Sequence, residues 1–205
     1  MYEDRRDAAQ RLARELSGYR GQNPLVLAIP RGAVPMAAQI AEVLEGELDV
    51  VLVHKLGAPG NPEFAVGAVS EDGTVDIADH AWQLGINETY LQQEADEQLQ
   101  TLRRRRAQYT PVRSAIDPAG RVVIVVDDGI ATGSTMLAAL KAVRDQQPAK
   151  LVAAVGVAPP RALERMRAVA DDVVCPLKPE MFRAVGEFFR TFGQVDDEEV
   201  ISILS

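Results

Sequence analysis

The chain has 205 residues, 47% of them hydrophobic and 25% charged, with a formal net charge of −8. That is a globular balance rather than a disordered one, in a length that suits one domain burying roughly 70% of its unfolded surface. The acidic excess argues against non-specific binding to nucleic acid or an anionic membrane, so an anionic ligand must be held by local features.

The first stretch, "MYEDRRDAAQRLARELSGY", lacks the apolar core of a signal peptide. It reads as an amphipathic helix with Ala9, Leu12, Ala13 and Leu16 at helical spacing, stopped by Gly18 and Gly21. "PLVLAIP" (24–30) is a short apolar strand, followed by "RGAVP" and a helix through Ala37, Ile40, Ala41 and Leu44. "LDVVLVHKLG" (48–57) reads as a second buried strand. "FAVGAVSEDGTVDIA" (64–78) has the pattern of a hairpin turning at Asp72-Gly73. A long polar helix follows over 87–109, with Asn87 as its cap. The third strand is "VVIVVDD", the fourth "LVAAVGVAP" (151–159) and the fifth "DDVVCPL" (171–177), with helices over 133–146 and 160–169. No run of about 18 apolar residues occurs, so no membrane span is expected. Cys175 is the only cysteine, which rules out an intrachain disulfide and suits a reducing, cytoplasmic setting.

Apolar strands alternating with helices predict an α/β fold with a parallel sheet covered on both faces. About 65 residues, the hairpin and the polar helix, are inserted between the second and third core strands, judging by typical crossover lengths. Ligands of such sheets sit beyond the carboxyl ends of the strands. Each of the first three strands ends in chemistry: Pro30-Arg31-Gly32, His54-Lys55 and Asp127-Asp128.

The third is the richest. Side chains alternate on a strand, but its last residues can turn and let both carboxylates face one crevice. There they can accept hydrogen bonds from a vicinal diol or help hold Mg²⁺. The following "GIATGST" brings Gly129 and Gly133 for tight geometry and the hydroxyls of Thr132, Ser134 and Thr135. Its amides open a helix, whose positive dipole end favours a phosphate. A diol binder beside a phosphate cradle describes a ribose 5-phosphate pocket. The plainer reading is a solvated turn capped by Thr132 or Ser134; buried strand, acid pair and loop together favour the pocket.

"VIVVDDGIATGST" (123–135) closely resembles the thirteen-residue phosphoribosyl pyrophosphate (PRPP) motif of type I phosphoribosyltransferases. The likeness extends over most of the chain and is nearest to a group of these proteins with unassigned substrate, through "KLGAPGNPEFAVGAV" and "FRAVGEFFRTFGQVDDEEV". It implies a single domain with a Rossmann-like core over about 20–56 and 120–178, an insertion and lid over about 57–118, and a C-terminal hood over about 179–205. By the same resemblance Asp127 and Asp128 hold the ribose hydroxyls and Mg²⁺, and Ala131 to Thr135 hold the 5-phosphate. Arg31 and Gly32 of "AIPRGAVPMA" meet the diphosphate, often through an unusual backbone. "VHKLGAPGNPE" leads into a loop that closes over the sugar. PRPP is then the co-substrate and a homodimer the assembly. Ala131 matches the adenine-type enzymes rather than the aspartate of hypoxanthine-guanine enzymes. His54-Lys55 stands where adenine- and orotate-type enzymes often carry arginine-lysine.

The expected reaction displaces pyrophosphate from C1 of PRPP with a nucleobase or similar nitrogen heterocycle. Arg31 and Lys55 would neutralise the leaving group, and the segment near 57–78 would exclude water. Glu63 is a candidate general base against its default as a surface glutamate. Phe182, Phe188, Phe189 and Phe192 could stack a flat acceptor, fill the core or face a partner. The run "RRRR" (103–106) reads as a solvated helix face pairing with Glu94, Asp96 and Glu97 rather than as a nucleic-acid site. Two other functions use the same pocket: a sensor of PRPP or a nucleotide without turnover, and a hydrolase of phosphoribosyl compounds.

Overall fold

The computed structural model describes residues 1–111 and 114–205. Among them, a five-stranded parallel sheet has the order β2-β1-β6-β7-β8, built from β1 (Leu25–Ala28), β2 (Glu47–Val50), β6 (Val122–Gly129), β7 (Lys150–Val157) and β8 (Asp172–Val174). A separate antiparallel sheet joins β3 (Val53–Ala58), β4 (Asn61–Ser70) and β5 (Val75–Ile77). The α/β expectation therefore holds, and no helix of the described residues is long and apolar enough to cross a membrane.

β6 lies at the centre because its β-branched run suits burial on both faces. Val123, Ile124, Val125 and Val126 are all fully buried, each contributing about 1.5–3 kcal/mol through removal of apolar surface from water. Alternation sorts them. Ile124 and Val126 join the cluster under α1 (Arg5–Glu15) and α2 (Val34–Leu44), whereas Val123 and Val125 pack under α5 (Ser134–Asp145) and α6 (Pro160–Arg167). Strand order reverses between β1 and β6: the chain passes from β1 outward to β2 on one side, and from β6 outward to β7 and β8 on the other. A crevice therefore opens where the loops after β1 and β6 diverge. This places Pro30-Arg31-Gly32 beside Asp127-Asp128.

The expectation of one buried strand over 48–57 is corrected. β2 ends at Val50, and β3 begins at Val53 in the other sheet. Val51 and Leu52 carry the chain across, with the Val51 amide donating to Ala28 O and Leu52 O accepting from the Glu71 amide. Both halves are apolar, so a hydrophobic run cannot reveal the change of sheet. The expected hairpin turn at Asp72-Gly73 is present between β4 and β5, and a second hairpin turns at Pro59-Gly60, where Gly60 has φ +73°.

α3 (Asp79–Gln83) and α4 (Glu88–Tyr109) complete the insertion. Asn87 caps α4, accepting from the Thr89 amide at 2.7 Å. The arginine run is not the expected set of charge pairs along one helix face. Glu94 and Asp96 take hydrogen bonds from Gln98 and Gln92. Arg106 reaches off the helix to Asp49 at 2.8 Å, to Glu71 and to Val50 O, tying α4 to β2 and the hairpin turn.

The termini clasp each other. The Tyr2 amide donates to Phe188 O, and the Arg190 and Thr191 amides donate to Tyr2 O and Glu3 O. Tyr2 is fully buried against Phe189, and its hydroxyl donates to Gly156 O. α7 (Asp197–Leu204) closes the tail, with Asp196 as its N-cap.

Candidate functional site

β6 stays extended through Gly129, pairing Asp127 with Val155 and Gly129 with Val157 of β7. The two carboxyls stay within reach of each other, and each lines its own cavity. Asp127 lines a cavity of about 150 Å³ with the loop residues Gly129 to Met136. Asp128 lines a larger one of about 450 Å³ with Arg5, Arg31, Gly32, Val185 and Phe192. The Asp127–Asp128 peptide separates the two.

In the small cavity the helix start is open to an anion. Gly133 is the N-cap of α5 with φ +81°, and no side chain caps the helix. Among the described residues the Ser134 amide meets only Thr132 Oγ1, at a long 3.5 Å. First-turn amides left without strong partners on a 12-residue helix form an anion cradle. Arg165 of α6 donates to Thr132 O at 2.6 Å and braces the loop from outside. Burial first, and then the neighbouring Asp128 carboxylate, push the Asp127 carboxyl well above its usual range. It also accepts the Asp128 amide at 2.9 Å.

The large cavity is assembled from distant segments. Arg5 Nε sits 3.0 Å from Asp128 Oδ2, with both side chains largely buried. Its Nη1 donates to Gly193 O, and its guanidinium lies 4.0 Å from the Phe192 ring centroid. A Cβ on Gly32 would collide with the Asp128 carboxylate and lie 3.0 Å from Arg5 Nη2, so only glycine fits. The Pro30–Arg31 peptide is cis. Arg31 is half-exposed and reaches Asp197 only at 3.7 Å.

Of the sequence-derived candidates, Asp127, Gly129, Ala131, Thr132, Gly133, Ser134 and Thr135 converge on one cavity, and Asp128, Arg31 and Gly32 on the other. Lys55 joins neither. It is exposed on β3 and lines a third cavity with His80, Ser134 and Arg165, outside the α5 N-terminus. His54 Nδ1 lies 2.7 Å from Lys55 O. Glu63 stands exposed near the β3–β4 tip. The phenylalanines divide: Phe189 is core, Phe182 stacks on Phe188 at 5.2 Å, and Phe192 faces the large cavity. The Cys175 thiol is buried, and burial pushes it up to about 11, which leaves no nucleophile at neutral pH.

Sequence reasoning missed Arg5. One signal was available: Arg5 and Arg6 directly follow the N-cap Asp4, where the helix dipole favours acids over bases. A local misfit of this kind marks a residue kept for another reason.

Among the described residues no cluster of three or more His, Cys, Asp or Glu side chains could hold a metal ion. The acid pair offers two carboxylates, which suits a Mg²⁺ that draws its other ligands from substrate phosphates and water.

Comparison with known proteins identifies the family. The chain matches the family described as "Phosphoribosyl transferase domain" over residues 1–188. It is 39% identical to "Putative phosphoribosyl transferase Rv0571c" of Mycobacterium tuberculosis, strain ATCC 25618 / H37Rv, over 209 aligned residues. A protein of strain CDC 1551 / Oshkosh with the corresponding name, MT0597, matches at the same identity. The alignment covers 100% of this chain but 46% of each mycobacterial protein, so the chain spans about half the length of these curated relatives. The crystal structure of TT1426 from Thermus thermophilus superposes with a TM-score of 0.89 at 46% identity, covering 99% of this chain and 97% of that one. With its motif at a strand-order reversal and its match running over nearly the whole length, the chain belongs to the phosphoribosyl transferase family.

Proposed function

We propose that the chain is a phosphoribosyltransferase that takes PRPP and displaces its pyrophosphate with a ring nitrogen of a heterocycle. The observation that carries this reading is the placement, at one strand-order reversal, of an open helix N-terminus beside Asp127 and of two arginines beside Asp128. Two anion-favouring features on either side of an acid pair suit a ligand with a phosphate at one end and a more highly charged group at the other.

The Ser134 and Thr135 amides and the Thr132 hydroxyl bind the 5-phosphate. Asp127 and Asp128 accept hydrogen bonds from the ribose hydroxyls. Arg31 and the backbone at Gly32 face the diphosphate. In the chemical step the C1–O bond breaks as the C1–N bond forms, the electron pair leaves with pyrophosphate, and the acceptor nitrogen gives up its proton. Asp127 and Asp128 would be the residues to hold a Mg²⁺, which would supply charge neutralisation to the leaving group. Water must be kept from C1, and the exposed β3–β4 tip around Pro59 to Phe64 is the segment we assign to covering the crevice. Tyr90, donating to Gly57 O at 2.7 Å, anchors the base of that hairpin. A homodimer is the assembly that the family resemblance implies.

Titration of PRPP by calorimetry, with and without Mg²⁺, tests the reading beside the Asp127→Asn/Asp128→Asn double variant. Saturable Mg²⁺-dependent binding, weakened at least about a hundredfold in the variant, is expected from the loss of two charge-assisted contacts. No binding at millimolar PRPP would sink the reading. Pyrophosphate release that depends on an added base then separates a transferase from a sensor, which releases none, and from a hydrolase, which needs no base.

A further inference from the structure

The diphosphate end of the proposed ligand carries the most charge, yet Lys55, the lysine expected to meet it, lies at another cavity. What stands in the Asp128 cavity instead is Arg5, delivered by the first turn of α1 and the clasp of the two termini. Resting on the PRPP reading above, we infer that Arg5 is a diphosphate-binding residue of this chain, exchanging Asp128 for the diphosphate when PRPP enters.

Four observations carry the inference. Arg5 meets Asp128 through a single contact, Nε to Oδ2 at 3.0 Å, rather than the two-pronged pairing a guanidinium makes with a carboxylate it is built to keep. Its Nη1 is taken by Gly193 O, but its Nη2 has no hydrogen-bond partner among the described residues and points at the bare Cα face of Gly32. A guanidinium carries five N–H donors, so Arg5 keeps donors free at the wall of this cavity. Phe192 at 4.0 Å fixes the plane of the fork, so its direction is set before a ligand arrives. Finally, the charges lining this cavity are Arg5, Arg31 and Asp128, one positive in excess in a chain of net charge −8. A diphosphate offers a guanidinium more negative charge and more acceptor oxygens than one carboxylate does. The exchange also releases Asp128 to meet a ribose hydroxyl.

The consequence is a division of affinity that a purely structural Arg5 would not produce. Wild type, Arg5→Gln and Arg5→Lys are titrated with ribose 5-phosphate, inorganic pyrophosphate and PRPP. Arg5→Gln is expected to weaken pyrophosphate and PRPP by about ten- to a hundredfold, the scale of one buried charged hydrogen bond, while ribose 5-phosphate stays within about threefold or binds tighter. Arg5→Lys, which keeps the charge, is expected to recover part of the pyrophosphate affinity. Equal loss of all three ligands in Arg5→Gln would make Arg5 a strut for Asp128 and overturn the inference; so would unchanged pyrophosphate binding, or a Lys variant no better than the Gln variant. Retained ribose 5-phosphate binding doubles as the test that the variant is folded. If wild type binds neither ribose 5-phosphate nor PRPP, the function proposed above fails first. If wild type binds both and Arg5→Gln changes nothing, only the role of Arg5 fails.

Discussion

Two cavities flank the Asp127–Asp128 peptide, and they are made in different ways. The small one is contiguous: Asp127 and the residues from Gly129 to Met136 fold into it as a strand end, a turn and a helix start. The large one draws Arg5 from the N-terminal helix, Arg31 and Gly32 from the loop after β1, Asp128 from β6, and Val185 and Phe192 from the tail. The first needs only local geometry once β6 is buried. The second exists only after the termini have clasped and strand order has reversed. A contiguous site is disturbed first through its own residues, with Arg165 its brace from outside, whereas an assembled one can be disturbed from several distant segments.

That difference can be broken or sharpened by substitution. The largest effect is expected at Gly32→Ala, where the new Cβ would strike the Asp128 carboxylate. Forcing it in should cost about 2 kcal/mol and reduce pyrophosphate affinity while sparing ribose 5-phosphate, read by thermal melting and calorimetry. Gly133→Ala is the counterpart in the contiguous cavity: φ is +81° and the Cβ would lie 2.7 Å from Met166 Cε. It should cost about 1–2 kcal/mol, with the affinity pattern reversed, ribose 5-phosphate falling and pyrophosphate holding. If both glycine variants weakened both ligands alike, the two cavities would not be separable and the contrast would collapse.

Tyr2→Phe tests action at a distance. The hydroxyl is buried and donates to Gly156 O, so its removal should cost about 1 kcal/mol and loosen the clasp that positions Arg5. A modest drop in pyrophosphate affinity without change for ribose 5-phosphate is expected; a shift in both would place the clasp under the whole site.

The smallest effect concerns pH. The Asp127 carboxyl titrates well above its ordinary 3.8 in the fold, through burial and then the Asp128 charge. The folded state thus holds its proton more tightly than the unfolded chain, and stability is lost as pH rises from the unfolded pKa through the folded one. Asp127→Asn removes this penalty. Its melting temperature should exceed that of wild type at neutral pH, and the advantage should vanish below about pH 3.8, where both forms are neutral. A gain that persisted at low pH would point to packing instead of charge.

Much of this was legible in the residues. The β-branched run before Asp127, the glycines and hydroxyls after Asp128, and the alternation of apolar strands with helices each state their own local geometry. The handover between β2 and β3 was not legible, because Val51, Leu52 and Val53 continue one apolar run through two sheets. Lys55 went with that handover: it stands on β3, at a cavity it shares with Ser134 and Arg165. That Asp127 and Asp128 line separate cavities depended on segments brought in from elsewhere in the chain, which composition does not state.

The sequence by itself determined the fold class, the strand–turn–helix of the motif and the family, because each rests on neighbours along the chain whose propensities agree. Only the tertiary structure decided which cation stands at the acid pair. Arg5 and Asp128 are 123 positions apart, and nothing in either segment names the other. Their meeting follows from where α1 packs and from the Tyr2–Phe189 clasp at its start, both settled by burial of apolar surface summed over the whole chain.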